Sequence, residues 1–147
     1  MTNIKTIFGL LAAVVATVVG VVAFGAAQAS ASSTPIVITY AKTCNEATGQ
    51  CVGTAGDGGT LEMQITSFRA TGSAAQLTLT EKIRVEDISF TAEMKGLVSP
   101  AGFIVLNGTV TDGSFVGAQV HQRSNFVSGP ATASVWTGEL QLLPASA

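Results

Sequence analysis

Nearly every stretch after Ser33 alternates apolar and polar residues with a period of two, and turn residues interrupt the alternation at short intervals. A period of two puts every second side chain on the same face of an extended strand. TLEMQITSF (60–68) sets Leu61, Met63 and Ile65 against Glu62, Gln64 and Thr66. AQLTLTEKIRV (75–85) sets Leu77, Leu79, Ile83 and Val85 against Thr78, Thr80, Lys82 and Arg84. PIVITYAK (35–42), ISFTAEMKGLV (88–98), FIVLNGTV, FVGAQVHQRSNFV and ASVWTGELQLL (133–143) complete the set of strand runs. CVGTAGDGG (51–59) reads as a Gly-rich loop, SPAG (99–102) as a β-turn and SGP (128–130) as another. Asn107-Gly108 and Asp112-Gly113 both have the chemistry of a tight hairpin, and Asp112-Gly113 is preferred because good strand runs flank it. The expectation is an all-β domain: a single antiparallel meander of seven to eight strands, closed as a barrel, with a β-sandwich as the alternative.

Before these runs the chain reads as a leader. Lys5 precedes an uncharged apolar run, Ile7 to Ala27, and then Ala27-Gln28-Ala29 supplies small residues for cleavage. Residues 1–29 are therefore read as a secretory signal peptide and 30–147 as the domain, with a retained membrane anchor as the rival reading. The expected location is extracellular. Contact with a membrane is expected only through the leader if it stays uncleaved.

Removal of the leader takes Lys5 from the 7 basic residues and leaves 6 against 9 acidic ones. The basic residues are scattered, whereas phosphate backbones are bound by clustered Lys and Arg, so nucleic acid is not an expected partner.

Outside a reducing cytosol, Cys44 and Cys51 are expected to pair. NEATGQ between them is turn chemistry, and closing so short a loop contributes about 2–3 kcal/mol in the chain-entropy model. No metal site is expected, because His121 is the only histidine and lacks zinc-type spacing. No cofactor is expected either. Asn107-Gly108-Thr109 is a glycosylation sequon that matters only in a eukaryotic secretory route.

The stretch NGTVTDGSFVGAQVHQRSNFV leads from a strand to an Asp-Gly turn, an aromatic, and Gly-Ala inside the next strand. From Gly108 to Phe126 it resembles a strand pair of the allene oxide cyclase and dirigent barrels, which are lipocalin-like in form. The resemblance implies an eight-stranded barrel with a mostly apolar interior that holds a hydrophobic small molecule. Some members steer cyclisation or coupling. It transfers no catalytic residue to this sequence.

Several side chains stand out. Glu81 interrupts the Leu77, Leu79, Ile83, Val85 face. An unpaired carboxylate in a core is costly, so a bulge or strand end that returns Glu81 to solvent is the expectation, and a pocket acid the alternative. Gln119, His121, Arg123 and Asn125 share one face, read first as a solvated sheet surface. If that face were interior, Arg123 would hold a carboxylate and His121 would serve as acid or base. Trp136 shares its face with Leu140 and Leu142 and reads as core.

The expected function is a secreted, non-catalytic barrel that binds a small hydrophobic or amphipathic ligand. The expected apolar wall is Leu77, Leu79, Phe103 and Trp136, with Glu81 or Arg123 fixing the ligand's polar group. The alternatives are a barrel cyclase or isomerase, in which His121, Arg123, Glu81 and Glu139 would converge inside, and an extracellular interaction module without a cavity.

If Cys44 and Cys51 are bonded in the exported protein, alkylation without reductant leaves its intact mass unchanged. Two alkylated thiols in freshly secreted protein would contradict the pairing.

Overall fold

In the computed structural model, residues 34–145 are described, and the expected leader lies outside them. They form β1 (Ile36–Asn45), β2 (Gln50–Ala55), β3 (Gly59–Thr71), β4 (Ala74–Val85), β5 (Ile88–Ser99), β6 (Phe103–Gly113), β7 (Gln119–Ser128) and β8 (Ser134–Leu143). Each strand pairs antiparallel with the next, and β1 pairs with β8, so the meander closes into an eight-stranded barrel. The barrel expectation holds over the sandwich, and the higher strand count is the right one.

The alternation seen in the sequence becomes inside and outside. Leu61, Leu79, Ile83, Met94, Leu106, Leu140 and Leu142 point inward and are essentially inaccessible. Burying a side chain of this kind stabilises by about 1.5–3 kcal/mol. Glu62, Lys82, Arg84, Glu93 and Lys95 face solvent. This polar outer wall is the reverse of a lipid-facing barrel, which carries an apolar band outside. Among the described residues no helix is long and apolar enough to cross a membrane.

Two segments differ from the reading of the sequence. CVGTAGDGG is not a loop: β2 occupies Gln50–Ala55, and only residues 56–58 turn. Gly53 is in this strand because β1 lies too close for a side chain. A Cβ there would sit 2.0 Å from the carbonyl oxygen of Ala41. Asp112-Gly113 is not the reversal either. Pairing of β5 with β6 continues to Phe90–Gly113, and the chain turns one step later, at residues 114–117. That turn is tied by Ser114 N to Ser89 O (2.7 Å) and by Gly117 N to Val110 O (2.9 Å). Asn107-Gly108 lies within β6.

The disulfide expectation is met. Cys44 and Cys51 face each other across β1 and β2, bonded, with Cα atoms 4.0 Å apart. Both point into the barrel, so the bridge is a staple within the wall at the core surface.

Gly138 shows how the closing seam is packed. It lies between Tyr40 on β1 and Ser124 on β7. A Cβ on Gly138 would meet the Tyr40 hydroxyl at 2.4 Å and the Arg123 carbonyl oxygen at 1.9 Å. The missing side chain lets the Tyr40 ring lie across β8 and reach β7. Gly138→Ala is expected to lower stability by about 1–3 kcal/mol through overpacking, read as a lower urea midpoint. An unchanged midpoint would show that the seam has slack.

Candidate functional site

Six polar side chains point into the apolar interior: Tyr40 and Lys42 from β1, Glu81 from β4, Gln122 and Ser124 from β7, and Ser134 from β8. Each follows from strict alternation in its strand. The expected bulge at Glu81 does not occur. Register is regular from Glu81–Met63 on one side to Glu81–Ala92 on the other, and the irregularities fall at Ile65/Ser67, Thr91/Ala92 and Phe126/Ser128. Glu81 is therefore in the core and wholly inaccessible.

What makes this tolerable is a hydrogen bond across the barrel. Gln122 Nε2 donates to Glu81 Oε1 at 3.2 Å, joining β7 to β4. Glu81 Oε2 and Gln122 Oε1 are buried and have no hydrogen-bond partner. Such orphaned groups cost about 1–3 kcal/mol each. Along the seam, Tyr40 donates from its hydroxyl to the Arg123 carbonyl oxygen at 3.0 Å and shares a 2.5 Å hydrogen bond with Ser124 Oγ.

Lys42 is 2 % exposed. Its Nζ donates to Met63 Sδ at 3.5 Å and lies 5.3 Å from the centroid of the Tyr40 ring. Both are weak partners for an ammonium. Met63, which Lys42 touches, is also the direct cross-strand neighbour of Glu81.

Burial shifts all three titratable groups in the interior. It raises the Glu81 carboxyl, against the opposing pull of the Lys42 charge and the Gln122 hydrogen bond. It lowers the Lys42 ammonium, against the Glu81 charge. It raises the Tyr40 phenol, which the Ser124 hydrogen bond opposes. Desolvation wins in each case because it disfavours whichever form is charged.

The residues singled out in the sequence are divided by the wall. Leu77, Leu79, Glu81 and Trp136 are inside. His121, Arg123 and Glu139 lie outside, and so does Phe103, whose strand neighbours Ile104 and Leu106 take the inward positions. His121 Nδ1 is hydrogen-bonded to Asn107 Oδ1 on that outer wall. Arg123 is set beside Glu139 across β7 and β8. The polar row is thus the solvated face first expected, and Arg123 cannot fix a ligand in the interior.

A groove of about 450 Å³ also lies outside, over β3 to β6, lined by Thr66, Thr78, Thr80, Glu93, Lys95 and Asn107 among others. It does not include the buried polar groups. Tyr40, Lys42, Gln122 and Ser124 escaped the sequence reading. Lys42 was the most legible of them, since it alternates with Ile38, Tyr40 and Cys44 in β1. Among the described residues no three His, Cys, Asp or Glu side chains gather to hold a metal.

The two shifts have opposite consequences for stability. Folding raises Glu81, so the folded barrel holds a proton that the unfolded chain has released. That stability is full in acid and is lost as pH climbs from the ordinary carboxylate range toward the raised value. Folding lowers Lys42, so the unfolded chain holds the extra proton, and stability rises as pH climbs from the lowered value toward the ordinary lysine value. Urea midpoints from about pH 4 to about pH 10 should pass through a minimum between these limbs. Glu81→Gln should remove the falling limb, and persistence of that limb would show that Glu81 does not cause it. No family model, curated protein or solved structure matches this chain.

Proposed function

We propose that this protein is an exported, non-catalytic barrel that binds a small, largely apolar molecule, with the ligand's polar group held at Glu81 and Gln122. The supporting observation is a pair of orphaned oxygens, Glu81 Oε2 and Gln122 Oε1, inside a largely apolar interior. Ligand pockets are mostly apolar with a few placed polar groups, and eight strands suffice to hold one small ligand. The bonded cysteines are compatible with an extracellular location. An eight-stranded antiparallel meander is also the form implied by the likeness to allene oxide cyclase and dirigent barrels.

The barrel-enzyme alternative required His121, Arg123, Glu81 and Glu139 to meet inside. Of these only Glu81 is interior, and binding therefore takes precedence over catalysis.

Trp136 is the only tryptophan and is 8 % exposed. It donates from Nε1 to Ser134 Oγ at 3.0 Å and packs edge-on to Phe126 at 5.3 Å. It lies near the start of β8 and is an intrinsic reporter of anything entering the interior there. Saturable change in its fluorescence with an apolar alcohol, and a small molecule retained in native mass spectrometry of protein from its own source, are the expected results. Glu81→Gln should weaken binding of the alcohol about tenfold, equivalent to one hydrogen bond of about 1.4 kcal/mol. If neither the alcohol nor a naphthalene-sulfonate dye binds and no molecule is retained, the binding function fails.

A further inference from the structure

Lys42 is not needed by the hydrogen bond between Glu81 and Gln122, and its own contacts are poor. Among the described residues no oxygen accepts a hydrogen bond from its Nζ. A thioether at 3.5 Å and a ring face at 5.3 Å are what it has. A lysine placed in a core for stability alone would be expected to meet a carboxylate directly. Here Lys42 touches Met63, the cross-strand neighbour of Glu81, and the carboxylate is near enough to act through its charge. The result is an amine in apolar surroundings with a counter-charge close by. That is the setting in which a lysine becomes a nucleophile toward carbonyl carbon.

Lys42 is also positioned near one end of the barrel. β1 runs toward the end that carries the turns at residues 46–49, 72–73, 100–102 and 129–133. Lys42 pairs directly with Trp136, close to the start of β8 at that end. Phe68 and Phe126 sit there too, 66 % and 44 % exposed. An apolar molecule thus has an apolar lip to pass before it reaches the amine.

We propose that Lys42 captures an apolar aldehyde as a reversible imine, entering past Phe68 and Phe126. This rests on the binding function proposed above and names the ligand's reactive group. The neutral amine of Lys42 attacks the carbonyl carbon, and a C–N bond forms. The carbonyl oxygen then leaves as water with the two protons lost by nitrogen, giving a C=N bond. No electrons are gained or lost. When the imine takes up a proton, the facing charged groups are Glu81, which balances it, and Tyr40, which stays neutral because burial raises its phenol.

The test uses the full chain with cinnamaldehyde and octanal at neutral pH, with cyanoborohydride to reduce any imine to a stable amine. Peptide mapping then locates the adduct. Binding of cinnamyl alcohol and octanol, followed by Trp136 fluorescence, is measured in parallel. Labelling of Lys42 should exceed that of the exposed Lys82 and Lys95 by about tenfold, the gain in neutral amine for each unit of lowered pKa. Lys42→Arg keeps a basic side chain that cannot form an imine. It should lose the Lys42 adduct and retain the sheet signal in circular dichroism. Lys42→Met serves the same purpose if the arginine is not accommodated. If the alcohols bind but Lys42 is labelled no faster than Lys82 and Lys95, imine capture is wrong and the binding function stands. If cinnamate binds, Lys42→Met abolishes its binding and no adduct forms, Lys42 is an anion-holding group and imine capture is again wrong. If neither alcohol binds and neither aldehyde labels Lys42, both fall together.

Discussion

The ladder between β1 and β8, from Ile36–Leu142 to Cys44–Ser134, turns a meander into a closed wall. Without it, β1 and β8 would each present a row of unpaired backbone groups, and the inner faces of eight strands would lie open to water. Closure also sets which residues can meet. The Tyr40 hydroxyl reaches Ser124 and the Arg123 carbonyl, more than eighty positions later in the chain, because β8 intervenes with glycine at position 138. Gln122 can reach Glu81 only because β7 and β4 face each other across the same interior. The disulfide adds a local staple to β1 and β2, and the seam does the long-range work.

An interior of this kind would be more stable with leucine or methionine in place of Glu81 and Lys42. Replacing a buried ion pair by apolar residues of similar volume is often neutral or favourable, by about 1–4 kcal/mol. Here the contacts of Lys42 are the Met63 thioether and the Tyr40 ring, and the hydrogen-bond partner of Glu81 is Gln122. Moving a proton from Lys42 to Glu81 leaves the interior with the same net charge but without two separated ions. The opposite shifts of the two groups move them toward that neutral arrangement. Glu81 Oε2 and Gln122 Oε1 have no hydrogen-bond partner. Retention of so much unfavourable polarity in a small core is the physical ground for assigning it a role.

Alternation made the architecture legible in the sequence: Leu77, Leu79, Ile83 and Val85 alone announce the inner face of β4. The same rule, followed without exception, also places Glu81 inside. The cost of a buried carboxylate favoured a bulge instead, and that preference failed because the compensating donor, Gln122, is forty-one positions away. Lys42 was hidden for a similar reason. It occupies an inward position of β1, yet its setting is made by Met63 on β3 and Trp136 on β8. Turns were less legible where glycine served packing. Gly53 looks like loop punctuation and is a strand residue pressed against β1. Gly113 looks like a hairpin residue and still pairs with Phe90.

The two ends of the barrel are chemically unequal, and this gives the interior a direction. The turns at 56–58, 86–87 and 114–117 bring Asp57, Glu86 and Asp87, together with the exposed Phe115 and Val116, to one end. At the other end Phe68, Phe126 and Val127 are exposed, with Glu46 as the acidic residue of its first turn. Phe68 owes its position to the irregularity between Ile65 and Ser67, which restores pairing as Phe68–Leu77 and sets an aromatic opposite an inward leucine. Phe126 is held by its edge-on contact with Trp136. An apolar guest approaching from the acidic end would have to pass exposed carboxylates, which prefer water. At the aromatic end Phe126, Trp136 and Lys42 are cross-strand neighbours in one row, and the hydrogen bond between Glu81 and Gln122 joins β4 to β7. An apolar molecule with one polar terminus that entered there would find its polar partners, Lys42 and the pair Glu81 and Gln122, inside the wall.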